Sequence, residues 1–172
     1  MTARARTHRA LAAIAVAVLA LVAAAGPAAA PAGAAGDDQP TFAEMAFCAL
    51  NLDDCERAKA LAEDATATSL ARYPEWSLAD GVGDAFRHCL WSGLMTMEWT
   101  RGEAKGYGDR HEDHPVLPGE TLVHHVEASF MDRHNNSWGR EYASRPGATR
   151  ESVTAGCAAA LEPGGILVVM AR

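Results

Sequence analysis

The chain has 172 residues, 15 Lys+Arg, 22 Asp+Glu, 7 His and 4 Cys, with a formal net charge of −7 at pH 7. That balance repels nucleic-acid backbones and anionic membranes over most of the surface, so bulk electrostatic binding to DNA is not expected. The length suits one domain with one core once the first segment is set aside.

That first segment reads as a secretion signal spanning residues 1–34. Arg4, Arg6 and Arg9 precede an unbroken apolar stretch from Leu11 to Ala25, then small residues and Pro27 and Pro31. A positive start, an apolar middle and a small-residue exit are the parts of a secretory signal peptide. The apolar part is shorter than the roughly 20 residues of a spanning helix. Ala32-Gly33-Ala34 and Ala28-Ala29-Ala30 are two candidate cleavage sites, so the exact site stays open, and an uncleaved membrane anchor is the alternative. No cysteine lies near the cleavage zone, which disfavours a lipid anchor. Removal takes the net charge to −10 and leaves residues 35–172 as one exported domain with no further transmembrane segment.

Cys48, Cys55, Cys89 and Cys157 all lie in the exported part, and an even count outside the cytoplasm reads as two disulfides. One straight helix through Cys48 and Cys55 would hold them about 10 Å apart, beyond the roughly 7 Å a bridge tolerates. The intervening ALNLDD supplies a break, with Asn51 as a helix end and Asp53, followed by Glu56, as a new N-cap. A local Cys48–Cys55 clasp then leaves Cys89–Cys157 to close a long loop. The rivals are four free thiols or a metal site, though no CxxC spacing is present.

In chain order, Thr41 to Leu50 predicts a short helix and Asp53 to Tyr73 a longer, alanine-rich one stopped before Pro74. Trp76 to Gly83 reads as a loop. Asp84 to about Thr100 reads as the central helix, because Phe86, Cys89, Leu90, Trp91, Leu94, Met95 and Met97 cover most of its circumference. Arg101 to Pro118 is glycine-rich and predicts one weak turn around Glu103 to His111. Thr121 to about Trp138 predicts a helix ending near Gly139, and Thr149 to Leu161 a last one. Pro163-Gly164-Gly165 then releases an apolar tail, Ile166 to Met170, either tucked on the core or forming one strand. The fold class is all-α: a single small bundle of about five helices, stapled by disulfides.

Three blocks carry chemistry. In DAFRHCLW, Asp84 and His88 are four apart and share a helix face. A carboxylate beside an imidazole fixes its tautomer and raises its basicity. Arg87 offers bidentate contact to an anion. The bland alternatives are Asp84 as a helix cap and His88 as a buried histidine bonded to a backbone carbonyl. In HEDH, His111 and His114 are three apart, and His111 with Glu112 is a candidate metal pair. The second histidine comes one residue too early for the zinc-protease helix, and a solvated polar turn is the alternative. In MDRHNNSWGR, a helix would place Asp132, Asn135, Asn136 and Gly139 on one stripe, with His134 and Arg133 elsewhere. Adjacent asparagines are poor interior helix residues, so they must lie at a helix end or bond something. Asn135-Asn136-Ser137 also matches a glycosylation sequon. His124 and His125 point about 100° apart, so at most one joins any site.

These blocks in this order, DGVGDAFRHCLW, then HE, then MDRHNNSWGR, resemble the pattern DAFRHxxW…HE…MDxHNNxxGR of a domain seen in secreted bacterial proteins, domain of unknown function 6973. It also occurs at the ends of large bacterial surface and toxin proteins. FCALNLDDCERA and CAAALEPGGIL are similar to actinobacterial members, so the resemblance covers nearly the whole exported chain. It implies an α-helical exported domain and marks Asp84, Arg87, His88, Trp91, Asp132, His134, Asn135, Asn136, Gly139 and Arg140. For the acid of the HE element, Glu112 and Glu127 both remain open. The resemblance implies no reaction.

The expectation drawn from the residues is a secreted hydrolase favouring a phosphoester. His88 is base or metal ligand positioned by Asp84, and Asp132 and Glu112 are ligands or acid partners. Asn135 and Asn136 orient substrate, Arg87 or Arg140 holds an anionic group, and a divalent metal is an optional cofactor. The competing expectation is a non-catalytic binding or cell-envelope protein in which the same residues form a structural polar network. A toxin-like effector with an immunity partner is a third.

Overall fold

A computed structural model describes residues 40–170, and the expected secretion signal and its cleavage zone lie outside them. The described residues form six α-helices and one 3-10 turn, with no strand among them: α1 (Phe42–Cys48), α2 (Leu52–Leu70), the 3-10 turn Glu75–Leu78, α3 (Val82–Glu98), α4 (Arg101–His111), α5 (Leu122–Ala143) and α6 (Arg150–Ala159).

α3 is the axis of the bundle. Phe86, Cys89, Leu90, Leu94 and Met95 are buried around its whole circumference, and α2, α4, α5 and α6 all pack on it. A helix apolar on all sides is stable only when surrounded in this way. Its start lies earlier than the sequence suggests. Ser77 in the 3-10 turn donates to Pro74 O at 2.7 Å and accepts from Gly83 N at 3.2 Å, so the preceding loop is itself structured and Gly81 takes the cap position. Asp84 is therefore not the cap residue but the third residue of the helix.

Two expectations about helix extent are corrected. Arg101 to His111 is a full helix despite Gly102, Gly106 and Gly108. A capping box between Thr100 and Glu103 closes its first turn, Ala104 is buried, and Tyr107 stacks on Trp99 at 5.0 Å. Tertiary packing outweighs the roughly 1 kcal/mol that each glycine costs. α5 likewise does not stop at Gly139 but continues to Ala143. Gly139 is a contact point rather than a terminator: a Cβ there would lie 1.8 Å from Cys89 O. Asp53 does not cap α2 either. Asn51 holds that position, and Asp53 and Asp54 sit in the first turn, where their charge suits the positive end of the helix.

The disulfides are Cys48–Cys55, with Cα atoms 5.6 Å apart, and Cys89–Cys157, at 5.9 Å. The first clasps the α1–α2 corner and the second ties α3 to α6. The C-terminal tail is tucked rather than strand-paired. Leu167 N donates to Ala160 O, and Met170 N to Asp80 O, both at 3.1 Å.

Gly139→Ala should lower unfolding free energy by at least about 3 kcal/mol, because the added methyl meets backbone that cannot yield without separating α3 from α5. Urea denaturation measures this, and a loss under about 1 kcal/mol, the size of a helix-propensity effect alone, would contradict the contact.

Candidate functional site

The crossing of α3 and α5 brings the first and third blocks to one point. Asp84 and His88 share a face of α3, and the Asp132, Asn135, Asn136 and Gly139 stripe of α5 turns toward them; all of these residues are buried. His134 faces elsewhere and donates to Ile166 O at 2.7 Å.

His88 is the centre. Its Nε2 lies 3.4 Å from Asp84 Oδ1 and 3.5 Å from Asp132 Oδ1, and its Nδ1 lies 3.5 Å from Glu112 Oε1. These are charge-interaction distances, longer than strong hydrogen bonds. Arg87 is the closer neighbour. Its Nη2 reaches Asp84 Oδ1 at 2.7 Å and His88 Nε2 at 3.1 Å, and its Nε reaches Asp84 Oδ1 at 3.2 Å. A guanidinium only donates, so Nε2 accepts and the ring hydrogen sits on Nδ1. Asp84 Oδ2 accepts from Asp80 N at 2.8 Å, which fixes the carboxylate on the turn before α3.

Burial holds the His88 pKa well below its ordinary value of 6.5, and the positive charges of Arg87 and His111 push the same way. His88 is thus neutral at pH 7. The Asn136 carboxamide lies near enough to favour the protonated ring, yet neither His88 Nδ1 nor Asn136 Oδ1 reaches hydrogen-bonding geometry with a partner.

Glu112, not Glu127, is the acid of the middle block that joins this centre. It follows α4 directly, is 3 % exposed, and accepts from Asn136 Nδ2 at 3.2 Å. Glu127 is exposed on α5. His111, the other half of the expected metal pair, turns away from Glu112 to Glu44 on α1, with Nδ1 3.1 Å from Oε1. Burial opposes protonation of His111, but the Glu44 hydrogen bond and the nearby Glu112 charge outweigh it and raise its pKa. His114 lies beyond the end of α4 and does not share a face with His111.

The asparagines differ in use. Asn135 pairs with the tail backbone in both directions, Nδ2 donating to Val168 O and Oδ1 accepting from Val168 N, each at 2.9 Å. Its burial also removes the sequon from modification. Arg140 sits farther along α5 and donates to Ser92 Oγ at 3.1 Å, away from His88. Trp91 donates from Nε1 to Ala58 O at 3.1 Å.

A groove of about 820 Å³ lies beside the centre, walled by Phe47, Leu70, Trp91 and Tyr107 and reached by Arg87 and His111. Arg87 therefore touches both the groove and the buried imidazole, with 12 % of its side chain exposed. Donor atoms of Asp84, His88 and Asp132 lie within 4.8 Å of one another, a set that suits a divalent ion. The Arg87 guanidinium already supplies positive charge to two of them. Neither the groove nor the Glu44–His111 pair is legible in the sequence, because residues far apart in the chain build both.

An unfolded histidine titrates near 6.5, so below that pH the unfolded state takes up a proton that His88 in the fold refuses. Stability should therefore fall as pH drops from about 6.5 to 5.5, by on the order of 1 kcal/mol from this residue. His111, with its raised value, gives a contribution of the opposite sign, full below pH 6.5 and lost as pH rises through its folded pKa. His88→Gln keeps His111, so the difference between the two proteins isolates His88. Equal pH slopes in urea titrations of wild type and His88→Gln would contradict a buried neutral imidazole.

No curated protein and no solved structure matches the chain. The family model described as Domain of unknown function (DUF6973) matches residues 45–163, more than half of the chain, and the protein belongs to that family.

Proposed function

We propose that this domain is a secreted hydrolase of phosphoesters that carry an apolar arm. The observation that carries the reading is a fully buried imidazole, kept neutral between carboxyl groups, behind an arginine that forms part of the wall of an apolar groove. Two disulfides fit an oxidising compartment, and among the described residues no helix is long and apolar enough to cross a membrane. The disulfides support the export expected from residues 1–34.

In this reading the apolar arm lies in the groove and the phosphate draws Arg87 off Asp84 and His88, making bidentate contact with the guanidinium. Nε2 of His88 is then exposed as a base. It takes a proton from water, the water oxygen bonds to phosphorus, and the ester P–O bond breaks with the departing oxygen protonated from solvent. Asp84 and Asp132 stabilise the imidazolium formed. Asn136 and Glu112 hold the Nδ1 side of the ring. Proton transfer is most efficient when the base's pKa lies near the working pH, and the departure of Arg87 removes one of the causes that hold the His88 pKa down. A divalent ion at Asp84, His88 and Asp132, once Arg87 has moved, would supply a metal-activated water instead.

One observation favours a second reading, a non-catalytic domain whose polar residues lock three helices. His88, Asp132 and Asn135 are each 1 % exposed or less, and Asn135 is consumed by the tail.

A screen of phosphodiester and short-chain phospholipid substrates, with His88→Ala and His88→Gln as controls, decides between them. The hydrolase reading expects turnover that falls by at least about 100-fold in both variants while the melting transition persists. Absence of turnover on every substrate, together with unfolding of both variants, would establish the structural reading in its place.

A further inference from the structure

The connection between α4 and α5 carries a second cluster, separate from the one around His88. Its members are His114 in the connection, Glu120 just before α5, and His125 in the first turn of that helix; one donor atom from each lies within 4.8 Å of the others. The His114 and His125 rings meet edge to face with centroids 4.8 Å apart. Glu120 Oε2 is 3.4 Å from His125 Nδ1, and its Oε1 is 3.6 Å from His124 Nδ1.

Two details go beyond proximity. His114 Nδ1 donates to Pro115 O at 3.2 Å, which leaves the lone pair on Nε2. Metal-binding histidines characteristically spend their other ring hydrogen on a carbonyl or carboxylate in this way. His125 Nδ1 is buried and has no hydrogen-bond partner, although it faces the Glu120 carboxylate. A buried polar atom left in that state is destabilising, and a metal ion would give it a partner. The Leu117 N–H donates to Glu120 Oε2 at 2.9 Å, which fixes the carboxylate beside the His125 ring.

We infer that His114, Glu120 and His125 form a binding site for a zinc-class transition-metal ion. Two imidazoles and one carboxylate match the His₂Glu donor set of zinc, with a fourth position for water, and imidazole disfavours calcium and magnesium, which seek oxygen. His124 belongs to the outer shell, since its Nε2 faces Asp80 Oδ2 at 3.3 Å. The ion would tie the irregular connection to the start of α5. That connection begins with Glu112, and Asp80 anchors Asp84 through its backbone N–H, so the ion would brace both approaches to His88 without touching it.

The test is calorimetric titration of metal-free protein with Zn²⁺, alongside the visible absorption of a Co²⁺ complex. One ion per chain with the spectrum of a low-coordinate cobalt centre is expected, and binding at least about tenfold weaker in His114→Gln and in His125→Gln. Both residues lie outside the packed core, so their variants should fold, as circular dichroism will check. Calcium at the same concentration should give no heat. If zinc fails to bind, or binds equally well to both histidine variants, the assignment is wrong. Loss of binding in Asp132→Asn with retention in His125→Gln would place the ion at His88 and overturn it equally.

Discussion

Backbone contact between α3 and α5 is the constraint on which the rest of the molecule depends. Gly139 lies against the Cys89 carbonyl, and Gly93 has room for no Cβ because Val153 would be 2.6 Å from it and Gly139 O 3.1 Å. Two helices that touch through glycines approach more closely than side-chain ridges permit. The Cys89 side chain, from the same residue, is bonded to Cys157 on α6. Three helices are thus fixed at one level, and His88 immediately precedes Cys89 on α3. Asp132 and Asn136 lie on the Gly139 face of α5, so the geometry around the imidazole derives from this close backbone approach. Removing a methyl-sized allowance at this crossing would disturb the polar centre as well as the fold.

The same constraint decides which parts can be read from the sequence. α3 is legible because its apolar residues surround it, a pattern that suits a helix enclosed by others and little else. The Cys48–Cys55 clasp is legible because helix rise sets a distance that only a break can relieve. Gly139 stands out in the sequence, but as a terminator. A glycine near a helix end signals a C-cap or a close approach, and only the partner helix tells them apart. α4 errs in the opposite direction: its three glycines speak against a helix locally, while the Trp99–Tyr107 stack and buried Ala104 that support it come from packing. For the centre, the shared face of Asp84 and His88 and the stripe on α5 are each legible from helical spacing, but their meeting is not, because it depends on how α3 and α5 cross. The choice of Glu112 over Glu127 is not legible either, nor is the separation of His111 from His114, which depends on α4 ending between them.

The energetics distinguish two kinds of buried polar residue. Asn135 has its amide and carbonyl both bonded to Val168, and Arg140 reaches Ser92. Such groups are compatible with a purely structural role. His88 and Asn136 differ, since each keeps a buried atom without a hydrogen bond. A network selected for stability alone gains nothing from such atoms, and well-packed apolar residues of similar size often serve as well or better. Unsatisfied buried groups in natural proteins therefore point to chemistry, an ion or water, and here they lie on the Nδ1 side of the ring, opposite Arg87.

Arg87 then becomes the residue that separates the two functional readings. With the guanidinium on Asp84 and His88, Nε2 is occupied and the network is closed, as a structural element would be. With the guanidinium turned into the groove, Nε2 faces the same space as any anionic group lodged there. The change needs one long side chain to leave one carboxylate, and an incoming phosphate replaces the lost charge partner with another of the same sign and matching shape. A neutral ligand offers no such replacement and would leave Asp84 buried with its closest cation removed, which costs several kcal/mol. In the proposed reaction the closed centre would therefore select by charge before any contact with the reacting atoms is made, and the burial of His88 is compatible with the proposed catalysis.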